Sequence, residues 1–141
     1  MARSPEAQAE LDRAVAAIDR ELAADLELTS MFDQTKQAFV LEMAQWAKHE
    51  GTIGREAPGI YPVLADLYTR VPDAESAMER RGPANTLKDV DRDIVQRWEG
   101  DARDAQRLLR GDLSVKPALA VAGQGFFGRL IARLLGRSVH T

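Results

Sequence analysis

Apolar residues recur at intervals of three and four through most of this chain. Leu11, Val15, Ile18, Leu22 and Leu26 make the first such stripe. This spacing gathers side chains on one face of an α-helix, whereas a half-buried strand would alternate every second residue. Ser4-Pro5 supplies an N-cap and a proline at the first helical position, so a helix of about 22 residues is expected to start there. Thr29-Ser30 is expected to break it and to cap the next helix. Phe32, Phe39, Val40, Met43, Trp46 and Ala47 mark that second helix, with a stop near Gly51. Gly51, Gly54, Pro58 and Gly59 then read as a loop.

A third helix carries Ile60, Val63, Leu64, Leu67, Tyr68 and Val71. Pro72-Asp73 ends it and caps a short fourth, which closes on Arg80-Arg81 and Gly82-Pro83. Thr86 with Asp89 predicts a capping box for a fifth helix. Leu87, Val90, Ile94, Trp98, Ala102, Ala105, Leu108 and Leu109 form its stripe, and Gly111 its C-terminal stop. Gly100, inside that helix, suggests a bend or a close helix contact. The fold class is therefore all-α: a small bundle of about five helices with a hinged C-terminal amphipathic helix. Residues 1–111 form the bundle, 112–125 an extended linker containing glycine, and 126–137 the last helix.

With 141 residues, 45% of them hydrophobic and 29% charged, the chain suits one globular domain. It has no cysteine, which excludes disulfides, thiolate zinc sites and cysteine nucleophiles, and fits a reducing compartment. Met1 to Glu10 lacks the apolar core of a secretory signal, and no run of about 18 apolar residues is present to span a membrane. The charge is uneven. Residues 1–28 hold seven acids and three bases, a net of −4, and residues 110–141 hold five bases and one acid, a net of +4. Opposite ends of this kind attract each other, within one chain or between copies.

Several chemical motifs begin and do not complete. Gly123-Gln-Gly125-Phe-Phe-Gly128 follows an apolar stretch and precedes a helix, which is the local order of a dinucleotide-binding turn. Only Arg129 to Thr141 follow, too few for the second strand and its ribose-binding acid. Asp89-Val-Asp91-Arg-Asp93 opens like a calcium loop, but Ile94 and Gly100 occupy the positions of its required glycine and bidentate glutamate. His49 and His140 are the only histidines, and neither is joined by a Glu-x-x-His pair. No Ser–His–Asp arrangement is evident. Arg92, Arg97, Arg103, Arg107 and Arg110 interleave with acids as a solvated, salt-bridged face, not as a nucleic-acid stripe. Trp46, Trp98, Tyr61, Tyr68, Phe32 and Phe39 fall on helix stripes, as core residues do. The expectation is a non-enzyme with no cofactor, no metal and no specific nucleic-acid binding.

The C-terminal segment is the candidate contact element. Phe126, Phe127, Leu130, Ile131, Leu134 and Leu135 share one face of a short helix, and Arg129, Arg133 and Arg137 line another. Such a helix docks into a groove on a partner protein or lies on an anionic membrane surface.

The stretch from Leu64 to Val115, about a third of the chain, resembles the C-terminal half of the head–tail connector (adaptor) proteins of Mu-like phages. The matching residues are Arg80-Arg81, Arg97-Trp98-Glu99, Ala105, Leu108-Leu109, Gly111 and Leu113-Ser114. The resemblance implies a small helical assembly protein, a homo-oligomeric ring bridging a portal-like ring to a tail, and no catalytic residues. The expected function is thus structural, in the cytoplasm or the virion, with protein partners met through Phe126 to Arg137. A peripheral membrane or regulatory interaction module using the same helix is the alternative.

Overall fold

A computed structural model describes residues 3–35, 37–81 and 86–111. Within them the chain is all-α: α1 (Pro5–Thr35), α2 (Ala44–Glu56), α3 (Tyr61–Thr69), α4 (Val71–Glu79) and α5 (Asp89–Leu109). The segments 112–125 and 126–137, with the proposed hinge, lie outside the described residues.

Ser4 caps α1 as its position suggests, its Oγ accepting the Ala7 amide at 3.1 Å. The helix does not break at Thr29-Ser30 but runs on to Thr35. The Thr29 hydroxyl bonds the Leu26 carbonyl one turn back at 3.1 Å, which satisfies it inside the helix instead of at a cap. Burial of Thr29 and Phe32 then rewards the extra two turns. Thr35 ends the helix, its hydroxyl donating to the Met31 carbonyl and accepting the Gln37 amide. The second helix accordingly starts late, at Ala44, and continues through Gly51 and Gly54 to Glu56. Phe39 and Val40 precede it.

Helices α3 and α4 form one bent rod with Arg70 at the joint, as C-cap of the first and N-cap of the second. Pro72, which has no amide hydrogen, sits in the first turn of α4, where no intrahelical donor is needed. Helix α5 starts at Asp89 after Lys88, which makes no side-chain capping bond, so the helix begins two residues later than a cap at Thr86 would place it. Its buried stripe is also displaced at the start. Val90 is 63% exposed, while Asp91 and Val95 are buried. An ion pair explains the shift: Arg80 reaches Asp91 at 2.7 Å and draws that turn inward.

Helix α1 runs antiparallel to both of its main neighbours. Its Glu10 meets Arg55 and its Glu21 meets the start of α2. Its Asp19 meets Gln106 and Arg110 of α5. Helix α5 also packs on α3 and α4. The core between them holds Ile18, Leu22, Phe32, Leu64, Met78 and Trp98, all almost wholly buried. Trp98 donates from Nε1 to the Leu67 carbonyl at 3.0 Å, so its one polar atom is satisfied. Trp46 stacks on Tyr68 with ring centres 5.2 Å apart. Gly100 brings no helices together: a Cβ built there would meet nothing within 4 Å.

Candidate functional site

The proposed contact residues, Phe126, Phe127, Arg129, Leu130, Ile131, Arg133, Leu134, Leu135 and Arg137, lie outside the described residues, as does the glycine turn at 123–128. Two polar constructions stand out in the helical body.

The first is a carboxylate clamp on α1. Glu21 and Asp25 occupy the same face as Ile18 and Leu22 and are buried with them. Glu21 accepts the amides of Gln45 and Trp46 at 2.8 and 3.1 Å and the Tyr68 hydroxyl at 2.9 Å. Met43, the N-cap of α2, offers no side-chain bond. Glu21 therefore caps α2 from another helix and meets its positive dipole end. Asp25 accepts the Glu42 amide at 2.6 Å, and Glu75 of α4 accepts the Leu41 amide at 2.7 Å. Three carboxylates from two helices thus hold the backbone of residues 41–46.

The clamp is electrostatically tense. The second oxygen of Asp25, Oδ2, has no hydrogen-bond partner. Burial pushes the Asp25 carboxyl up to about 7; the Glu42 amide opposes this, and the charges of Glu21, Glu42 and Glu75 add to it. Burial, with Glu21 beside it, also raises the Tyr68 phenol. A second buried acid on this side, Glu99 of α5, is likewise raised, chiefly by burial. The arrangement fastens backbone. Its carboxylates accept four amides and one phenol, and no group of three or more metal-ligating side chains occurs among the described residues.

The second construction is a groove of about 320 Å³ between α4 and α5. Arg70, Asp73, Ser76 and Arg80 line one side, and Ile94, Arg97 and Trp98 the other. Arg70 is held by Asp66 and Asp101 at 3.0 and 2.8 Å. Arg80 places both Nε and Nη2 on one oxygen of Asp91. This contact raises the guanidinium and holds the Asp91 carboxyl below its usual range. Arg97 pairs with Asp93 at 2.9 Å.

These pairs also account for the aspartate triplet that opens like a calcium loop. Asp89, Asp91 and Asp93 each carry an arginine, respectively Arg92, Arg80 and Arg97, on a regular helix. Arg107 with Asp104, and Arg110 with Asp19, continue the salt-bridged face. No helix among the described residues is long and apolar enough to cross a membrane.

Neither construction follows from the motifs considered above. The clamp had a signal, because Glu21 and Asp25 continue the three-and-four spacing of an otherwise apolar stripe. The groove had none, since Arg70, Arg80 and Arg97 come from three places in the chain. No family model, curated protein or solved structure matches this chain.

Proposed function

We propose that this chain is a non-catalytic structural protein of the head–tail connector kind, acting in the cytoplasm or the virion. Its helical body carries the C-terminal segment to a neighbouring copy or to a portal-like ring. The observation that best supports this reading is where the chain leaves the body. Helix α5 ends at Leu109 with Arg110 as its C-cap, and Gly111, with a φ of 78°, turns the chain out of the helix. The preceding residue, Arg110, is tied to Asp19 in the middle of α1 at 3.2 Å. The chain beyond Gly111, with a net charge of +3, therefore begins beside a helix rich in acids. Head-to-tail contact between copies is the assembly that such an asymmetric surface favours, and a closed rotation makes it a ring. The resemblance from Leu64 to Val115 supports the same reading, and falls mainly on α3 to α5.

Native mass in solution tests it. The full chain is expected to form closed multimers, and a chain ending at residue 122 to be monomeric. Replacing Arg129, Arg133 and Arg137 by glutamate should weaken association of the otherwise intact chain. A full chain that stays monomeric at high concentration and ignores a portal-like ring would refute the proposal.

A further inference from the structure

The arginines of the α4–α5 groove are paired unevenly. Three of their acids lie behind the groove wall, Asp66, Asp91 and Asp101 at 6, 4 and 14% exposed, whereas Asp93, the partner of Arg97, is itself 53% exposed. The bases face outward, Arg80 at 52% and Arg97 at 62%. The groove lining thus holds three arginines against one acid, Asp73, although the whole chain carries −3. The buried acids also fix the guanidiniums in place. Arg70 is gripped by carboxylates of two helices, and Arg80 by two of its nitrogens on one oxygen. A guanidinium has five N–H donors in a rigid fork, and these contacts use two from Arg70, two from Arg80 and one from Arg97. Donors remain on each to meet a further acceptor.

We propose that this groove binds a small organic oxyanion, a carboxylate or phosphate monoester on an apolar body about one ring in size. The arginines would take the oxyanion, which matches their planar fork. Ile94, over the buried Trp98, would take the apolar body, and Ser76 offers a hydroxyl beside it. The volume stands at the small end of ligand sites, about 300–1,000 Å³, which sets the size of the body. Asp73 shares the groove and disfavours a doubly charged head, so a carboxylate is expected to bind more tightly than the corresponding phosphate. This site is independent of the assembly reading.

Heteronuclear NMR on the full chain tests it, with benzoate, phenyl phosphate and benzyl alcohol as probes. The Trp98 indole N–H, fixed on the Leu67 carbonyl, is the reporter. Benzoate at millimolar concentration should shift it saturably, phenyl phosphate less strongly, and the neutral alcohol not at all. Arg97→Gln should weaken benzoate by about tenfold, as expected for loss of a charge-assisted contact. Arg97 is exposed and, among the described residues, pairs with Asp93, so this variant keeps the fold, and an unchanged far-ultraviolet spectrum checks that. The absence of a saturable shift, an equal response to benzyl alcohol, or undiminished binding in Arg97→Gln would each overturn the site.

Discussion

Asp25→Asn should make this protein less sensitive to pH. In the folded chain the Asp25 carboxyl is buried and titrates at about 7, against 3.8 when unfolded. Between those values the folded state holds a proton that the unfolded state has released. Stability from this group is therefore fully present below about pH 4 and is lost as pH rises through about 7. Each pH unit across that interval is worth about 1.4 kcal/mol, so the full loss is about 4 kcal/mol, and about 2 kcal/mol of it falls between pH 5 and pH 7. Asparagine is isosteric and cannot ionise. Its amide oxygen can keep the bond to the Glu42 amide, and its amide nitrogen can donate toward the surrounding carboxylates. Urea denaturation at pH 5, 6, 7 and 8 would measure the difference. The natural chain should lose stability steadily from pH 5 to 7 and then level off, and the variant should lose about 2 kcal/mol less over the same interval. Glu99 titrates in both proteins and drops out of the comparison. Parallel stability curves for the two proteins would refute the argument, because the buried carboxyl would then be charged at pH 5.

Two further substitutions probe the body. Gly100→Ala should stabilise it by about 0.5–1 kcal/mol, raising the calorimetric Tm by a few degrees, because a methyl group there meets only open space in the middle of α5. Glu21→Ala should cost about 3 kcal/mol or more in denaturant unfolding, since it strands two amides and a phenol at once. It should also perturb the fluorescence of Trp46, stacked on the Tyr68 that Glu21 holds.

The helical class was legible in the spacing of apolar residues, and so were Ser4, Pro72 and Gly111 as punctuation. Boundaries failed where tertiary contacts overrode local preference. Thr29-Ser30 has the composition of a cap, yet the buried Phe32 beyond it carries α1 onward. Gly51 and Gly54 look like a loop, yet both continue α2 between anchors that the local sequence does not display. One of those anchors, Glu21, lies 24 residues before the first amide it binds. The stripe of α5 was misread by one position because Asp91 counts as polar until Arg80 is known to meet it. The arginine groove was illegible for a related reason: spacing reports which residues share a helix face, not which helices meet.

The clamp on residues 41–46 recognises main chain alone. An amide hydrogen is the same for every residue but proline, so the four positions it grips, Leu41, Glu42, Gln45 and Trp46, owe nothing to the clamp in side-chain identity. Val40 and Met43 beside them are free on the surface. Between the buried Leu41 and Trp46, this stretch can therefore vary in sequence while keeping its path. A saturation library should find it permissive at Glu42 and Gln45, with proline as the sharp exception. Its tolerance is underwritten by Glu21, Asp25 and Glu75, distant in sequence, which should themselves accept only side chains that keep an acceptor oxygen in place.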